Sequence, residues 1–215
     1  VDASALERNL YLTLQLLELE VPFVIALNQM DFAAKKGLRI DTEKLSKVLG
    51  VRAIPTVATT GTGITELLDA VIDQVYKPNK VTMMKPIYGK EIEERIQAIE
   101  NLVVANLSEL YKVYPARWIA IKLLEKDEDI VNKVTAATDG KAMLELVNGI
   151  NSELETVHGE TSTVIMASER YTLASKIAKE TVTFERTPRI SLEQKLAAVT
   201  THKVYGYLIL VGVVV

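Results

Sequence analysis

Cysteine is absent from the 215-residue sequence, and histidine occurs only twice. The absence of cysteine excludes disulfide bonds, thiolate metal sites and cysteine nucleophiles. The two histidines, His158 and His202, show no metal-ligand spacing. The sequence also lacks an excess of positive charge. Its formal net charge is −3, so no strong basic field can gather nucleic-acid phosphates. We therefore predict no metal site and no nucleic-acid partner for this chain.

Two motifs that handle nucleotide phosphates are also missing. The sequence contains no Gly-x-x-x-x-Gly-Lys-Ser/Thr loop and no Asp-x-x-Gly. It also lacks a long hydrophobic run, since residues 205–215 (YGYLILVGVVV) fall short of the about 20 apolar residues that a membrane-spanning helix needs. Two interpretations of this run stay open: a buried terminal strand or the first part of a transmembrane helix. A start without methionine and a stop inside this run suggest a fragment.

Helical and strand patterns alternate through the first 75 residues. Apolar spacing predicts helices over residues 6–19, 41–49 and 64–75, with Asp41 as the N-cap of the second. Short apolar runs predict buried strands over residues 21–27 and 53–57. Pro55 places the second strand near an edge or a strand end. This order predicts an α/β unit with parallel strands.

The pattern changes near residues 77–79 (KPN), which form a plausible boundary. Beyond it, apolar stripes predict helices over residues 91–111, 116–124, 141–154 and 162–182. The apolar faces of these helices need one another, so we expect a small all-α bundle after the α/β part.

The segment Asn28-Gln29-Met30-Asp31 is the best candidate for a binding site. It follows a predicted buried strand, and ligands gather at the carboxyl ends of parallel strands. An ionised Asp31 can accept hydrogen bonds from the ring N–H and the exocyclic amine of guanine, whereas adenine would leave buried polar groups unpaired. Asn28 can hold the base edge and tie neighbouring loops together. The alternative is that Asn28 and Asp31 only cap the turn after the strand.

A second candidate loop, Val57-Ala58-Thr59, follows the next predicted strand. A small residue there lets the backbone approach a ligand, and the Ala58 N–H could donate to the guanine carbonyl oxygen. An ordinary strand-to-helix turn remains the alternative. Neighbouring parallel strands would put this loop beside Asn28, and the pair of loops is more specific than either one.

Several segments resemble the FeoB family of bacterial ferrous iron transporters. The specific ones are residues 1–17 (VDASALERNLYLTLQLL) with 28–31 (NQMD), and residues 116–125 (ARWIAIKLLE). Residues 41–45 (DTEKL), 61–64 (GTGI), 88–89 (YG) and 167–171 (ASERY) extend the resemblance over nearly the whole chain.

This resemblance implies a P-loop GTPase-like parallel sheet, incomplete at its N-terminus, over residues 1–80. A helical regulatory domain would follow over residues 81–185, then a linker and the start of the first transmembrane helix over 186–215. It further implies that residues 28–31 are the guanine-specificity motif and that Val57-Ala58-Thr59 matches the family's Ser-Ala-x loop. Valine replaces the usual serine there, which puts a hydroxyl contact in doubt. Gln29 replaces the usual lysine or methionine, so stacking over the base is expected to be weaker.

The implied activity belongs to an intact transporter at the cell inner membrane, with this portion on the cytoplasmic side. Such a protein would bind GTP and GDP, hydrolyse GTP with Mg²⁺, and carry ferrous iron. A homo-oligomer and a FeoA-type protein are possible partners. Without a phosphate loop, this chain is expected to show little hydrolysis alone. The alternatives are a translation-factor or tRNA-modification GTPase and a helical interaction module that binds no nucleotide.

Overall fold

A computed structural model of the protein describes residues 1–76, 83–138 and 140–185. The predicted linker and transmembrane start over 186–215 lie outside the described residues. Among the described residues, no helix combines the length and the apolar character that crossing a membrane requires.

The first part alternates short strands with helices, as the sequence predicts. A 3-10 turn over Ala3–Ala5 precedes it. The elements are α1 (Leu6–Glu18), β1 (Ile25–Leu27), α2 (Met30–Lys35), β2 (Leu38–Ile40), α3 (Thr42–Leu49), β3 (Ala53–Pro55) and α4 (Ile64–Tyr76). The predicted N-cap is confirmed, because the Asp41 carboxylate accepts a hydrogen bond from the Lys44 N–H at 2.9 Å. Helix α3 ends at Gly50, which adopts a left-handed conformation at φ 64°.

Strands β1 and β3 are parallel neighbours, which confirms the predicted arrangement. Ile25 lies opposite Ala53, and Leu27 lies opposite Pro55. Residues 1–3 run parallel along the other side of β1: the Asn28 N–H donates to the Val1 carbonyl oxygen at 2.8 Å. The carboxyl end of β1 therefore lies between two other chain segments.

The core of this part lies between the parallel strands and α1. Helix α1 presents a leucine stripe to it, and Leu10 and Leu14 are fully buried. Burying each such side chain contributes roughly 1.5–3 kcal/mol. The buried members of this core are Ala3, Leu6, Leu10, Leu14, Leu17, Ile25, Leu27, Ala33, Leu45, Leu49, Val51, Ala53, Ala174, Ile177 and Ala178.

The second part is helical. Its elements are α5 (Lys90–Asn106), α6 (Ser108–Tyr111), α7 (Ala116–Leu124), α8 (Glu128–Thr135), α9 (Gly140–His158), α10 (Ser162–Thr181) and strand β4 (Val182–Phe184). The prediction of one continuous helix over 91–111 is wrong, because the backbone leaves helical geometry at Leu107 (φ −124°, ψ 46°). The Leu107 side chain is buried in the helical core, and the chain continues from it into α6.

Helix α10 belongs to both cores. Its first half contributes Ile165 and Met166 to the helical core, whereas Ala174, Ile177 and Ala178 pack in the α/β core. Strand β4 then pairs antiparallel with β2, so that Leu38 lies opposite Phe184. The last helix of the expected bundle therefore also packs against the first part of the chain.

Other differences from the predictions concern short elements. Helices α2 and α8 and strands β2 and β4 were not expected, and each has eight residues or fewer. The first predicted strand, residues 21–27, shortens to Ile25–Leu27, and the second, 53–57, shortens to Ala53–Pro55. Pro55 is the last residue of β3, as its missing N–H suggests.

Candidate functional site

Asn28 lies directly after β1 and connects three chain segments. Its backbone carbonyl accepts a hydrogen bond from the Ala3 N–H at 2.8 Å. Its side-chain Oδ1 accepts a hydrogen bond from the Ala58 N–H at 3.0 Å, and the Thr56 hydroxyl lies 3.5 Å from the same atom. The structure therefore brings the two predicted loops together, and the Asn28 side-chain amide links them directly.

The second loop follows β3 and closes on itself. Thr56 is buried and donates its N–H to the Leu27 carbonyl oxygen at 2.8 Å, which extends the parallel ladder by one step. The Val57 N–H donates to the Thr62 carbonyl oxygen at 3.0 Å. Ala58 and Thr59 are exposed at the tip. The loop thus presents backbone and small side chains to solvent next to Asn28.

A glycine turn supports this loop. Gly61 and Gly63 both have positive φ angles, 76° and 79°. A Cβ atom on Gly63 would lie 2.1 Å from the Pro55 carbonyl oxygen, whereas a Cβ on Gly61 would meet nothing within 4 Å. Gly63 is therefore required by a close backbone approach, and Gly61 only by its backbone conformation.

Asp31 lies in the first turn of α2, on the same edge of the sheet. Gln29 precedes it in a left-handed conformation (φ 64°, ψ 32°), which is uncommon for a residue with a side chain. The Met30 N–H points to the Thr56 carbonyl oxygen at 3.4 Å and ties the start of α2 to the end of β3. Asp31 is exposed, and its only described ion pair is a long one to Lys35, at 3.9 Å.

The geometry allows one refinement of the expected base contact. The Ala58 N–H already donates to Asn28 Oδ1 at 3.0 Å, so the guanine carbonyl oxygen expected there would have to share that donor or displace the amide. No other described residue makes a short hydrogen bond to the Asp31 carboxylate, so its two oxygens could accept from the N–H groups of a base. The sequence reasoning missed the roles of buried Thr56 and of Lys35. A polar residue directly after a buried strand was the available signal for Thr56.

A buried ion network joins the two parts of the chain. The Arg170 guanidinium, from α10, is fully buried and donates to Glu18 of α1 through Nε (2.8 Å) and Nη2 (2.9 Å). Its Nη1 also pairs with Glu125, at the end of α7. The Tyr88 hydroxyl donates to Glu18. Burial, reinforced by the negative charge of Glu18, raises the pKa of Tyr88 well above its ordinary value.

A second ion pair fixes the segment between the two parts. Arg117 binds Glu93 through two hydrogen bonds, at 2.6 and 2.8 Å, and also donates to the Pro86 carbonyl oxygen at 2.8 Å. Burial alone would raise the pKa of Glu93, but the hydrogen bonds from Arg117 and from the Tyr88 N–H outweigh it and hold that pKa below its ordinary value.

Two family models match the chain. "Ferrous iron transport protein B" matches residues 1–71, and "FeoB cytosolic helical domain" matches residues 88–183. The first covers the candidate loops, and the second covers α5 to α10.

Curated relatives carry the same name. An Fe(2+) transport protein A/Fe(2+) transporter FeoB fusion protein from Porphyromonas gingivalis is 37% identical over 213 residues, which are 96% of this chain and 25% of the relative. The Fe(2+) transporter FeoB of Staphylococcus aureus strain MSSA476 is 32% identical over 96% of this chain and 30% of its own length. The chain therefore spans between a quarter and a third of the length of these relatives.

Solved structures are similar as well. A GDP-bound mutant of NFeoB from S. thermophilus has a TM-score of 0.71 at 30% identity, over 85% of this chain and 67% of that one. NFeoB from S. thermophilus bound to GDP, AlF4⁻ and K⁺ has a TM-score of 0.70 at 29% identity, over 83% of this chain and 66% of that one.

Proposed function

Because this chain belongs to the FeoB family of ferrous iron transport proteins, we propose that it is the guanine-recognising and helical part of a GTP-binding Fe²⁺ transporter. Asn28, Gln29, Met30 and Asp31 form one half of the base site. Val57, Ala58 and Thr59 form the other half. The helical part couples nucleotide binding to the rest of the transporter.

One observation carries the proposal: the hydrogen bond from the Ala58 N–H to Asn28 Oδ1 at 3.0 Å. It supports the view that both loops act as one site, because a turn-capping asparagine would bond to its own backbone instead. The exposed Asp31 carboxylate stands on the same edge. It can accept from both N–H donors of guanine, whereas adenine offers an acceptor at the ring nitrogen. Each mismatched pair would cost about 1–3 kcal/mol.

The wider roles follow from the family and belong to the same proposal. The protein acts at the cell inner membrane with this portion on the cytoplasmic side, attached through residues 186–215. A FeoA-type protein is a partner, which the name of the P. gingivalis fusion relative supports. We propose a division into a nucleotide part over residues 1–80 and a helical part over 81–185. A homo-oligomer is a further proposal.

We propose Mg²⁺-dependent hydrolysis of GTP only for a protein that also carries a phosphate-binding loop. Among the described residues, no group of three or more histidine, aspartate or glutamate side chains could hold a metal ion. We therefore assign no step to Mg²⁺ through the residues of this chain.

The GTP-binding proposal is tested by titrating the ¹⁵N-labelled chain with GDP and with ADP at millimolar concentrations. We expect amide shifts at Asp31 and Ala58 with GDP and much smaller shifts with ADP. Asp31→Ala should abolish the GDP preference. Asp129→Ala is the matched control, because Asp129 is also an exposed carboxylate paired to a lysine one helical turn away. Equal shifts with both nucleotides, or shifts that survive Asp31→Ala, would contradict the proposal.

The alternatives from other classes are not favoured. The interpretation as a helical module that binds no nucleotide leaves the hydrogen bond between the Asn28 amide and the Ala58 N–H at the sheet edge without a role. A GTPase that acts on RNA is not favoured by the net charge of −3.

A further inference from the structure

A groove of about 750 Å³ runs between the N-terminus of α1, the end of α10 and strand β4. One of its lining residues, Ala3, donates its N–H to the Asn28 carbonyl oxygen at 2.8 Å, so the groove adjoins the candidate base site. It is built from both parts of the chain. Its lining residues include Ser4, Arg8, Lys36, Tyr171, Lys179 and Phe184.

Cations dominate the groove. Arg8, Lys36 and Lys179 line it against a single acid, Glu7. In the described part of the chain, none of these three cations has an acidic partner within 4.0 Å, whereas nearby Arg39 is paired to Glu185 at 2.5 Å. The Lys36 ammonium instead donates to the Ser4 hydroxyl at 3.3 Å. The groove thus keeps a positive charge that the acidic side chains of residues 1–76, 83–138 and 140–185 do not pair with.

The same surface exposes aromatic side chains. Phe184 of β4 is 80% exposed, and Tyr171 of α10 is 49% exposed. Exposure of a phenylalanine ring to water is unfavourable, and its transfer to an apolar environment lowers the free energy. Surfaces that lie at the membrane interface typically combine aromatic side chains with cations that have no acidic partner. Their rings enter the headgroup region, and their cations bind anionic lipids.

The position of the groove in the chain favours the same partner. Phe184 lines it, and the sequence continues from Glu185 through 19 residues to the apolar run 205–215. Such a segment reaches at most roughly 65 Å when fully extended. If the run is anchored in a bilayer, this length keeps the groove within roughly 65 Å of the bilayer surface, so the groove can reach the headgroups.

We infer that this groove is a docking surface for the anionic headgroups of the membrane. The inference rests on the membrane attachment included in the proposed function. Arg8, Lys36 and Lys179 contact lipid phosphates, and Phe184 enters the interfacial region. The docked surface would orient the nucleotide part relative to the bilayer.

The absence of cysteine makes a direct test practicable on the full chain. A single Glu7→Cys variant carries an environment-sensitive fluorophore at the groove, and Val113→Cys carries it on an exposed control position. Each is mixed with phosphatidylcholine vesicles, with or without about one third phosphatidylglycerol. We expect a blue shift at position 7 only with the anionic vesicles and no shift at position 113.

Charge variants test the cations themselves. Reversal of Arg8, Lys36 and Lys179 to glutamate should lower binding to anionic vesicles by roughly a hundredfold or more, since each lost contact costs roughly fivefold. Reversal of the exposed Lys47, Lys112 and Lys141 changes the net charge equally and should have a much smaller effect. Neutral glutamine variants of the three groove cations serve if the reversed chain does not fold by circular dichroism.

The outcomes separate the inference from the proposed function. If the chain cosediments with neither kind of vesicle, the proposed membrane attachment fails, and the docking inference fails with it. If it cosediments but the probe at position 7 does not shift, or shifts equally with neutral vesicles, only the docking inference is wrong. Binding of soluble glycerophosphoglycerol as tight as that of anionic vesicles would also overturn it, in favour of a small-anion site.

Discussion

Arg170 is the residue whose replacement should cost the protein the most stability. Its side chain is fully buried, and it joins α10 to Glu18 of α1 and to Glu125 at the end of α7. In Arg170→Met the packing volume is largely kept, but Glu18 stays buried, and among the described residues the Tyr88 hydroxyl is its remaining side-chain donor. The change therefore isolates the loss of charge pairing from the loss of packing.

The expected magnitude follows from leaving a buried carboxylate without its cation. Removing one partner of a buried ion pair costs about 3–5 kcal/mol. This is a large share of the about 5–15 kcal/mol that folded domains have. If the m-value, the slope of the unfolding free energy against urea concentration, lies near the upper end of its usual range, the urea midpoint of unfolding should fall by about 1–2 M.

The assay uses the single tryptophan of the chain. Trp118 lies in α7, stacked on Tyr114 with ring centroids 4.9 Å apart, so its fluorescence reports on the helical core. Lys176→Met is the control, because Lys176 is exposed on the same helix as Arg170. We expect Lys176→Met to leave the midpoint nearly unchanged.

A double variant sharpens the test. Glu18→Gln combined with Arg170→Met removes the charge that the single Arg170 variant leaves unpaired. The double variant should be clearly less destabilised than the sum of the two single changes. A loss below about 1 kcal/mol for Arg170→Met, or strict additivity of the two changes, would refute the reasoning that this network holds the two parts together.

Two further predictions concern local features. Gly63→Ala should disorder the loop at Ala58 and shift the Ala58 amide resonance strongly. Gly61→Ala, at a similar φ but in open space, should leave that resonance in place. Equal effects of the two changes would contradict the close approach of Gly63 to Pro55. Hydrogen bonds from Lys126, and from the Ser162 N–H, hold the pKa of Glu155 at about 2, below the 4.5 of the free side chain. A lowered folded-state pKa stabilises above pH 4.5, and this contribution is lost as the pH falls towards 2. Glu155→Gln should therefore flatten the acid limb of the stability profile, which urea unfolding at several pH values would measure.

Periodicity predicted the longer elements well. Helices with a clear apolar stripe, such as α1 and α3, begin and end within about a residue of expectation. The three-residue strands β2 and β4 could not be predicted, because their pairing joins residues 38–40 to 182–184, and local sequence carries no signal for that contact. The break at Leu107 coincides with burial of its side chain in the helical core, a contact that the local apolar pattern does not reveal.

The candidate site was predictable only in part. The parallel order of two strands was enough to expect Asn28 beside Ala58, and the structure places them in a hydrogen bond. The sequence could not show that this bond uses the N–H expected to meet the base. Nor could it show the Glu18–Arg170 pair, since the two residues are 152 positions apart.

The central claim is that the paired loops read guanine through Asp31. Xanthine differs from guanine by a carbonyl oxygen in place of the exocyclic amine, so an amide at position 31 should suit it better than a carboxylate does. The most direct measurement is the ratio of affinities for GDP and xanthosine diphosphate, in the original chain and in Asp31→Asn, by the same NMR titration. We expect a preference for GDP in the original chain and a reversed preference in the variant, with each mispaired group worth roughly 5–150-fold. An unchanged ratio in Asp31→Asn would contradict the claim.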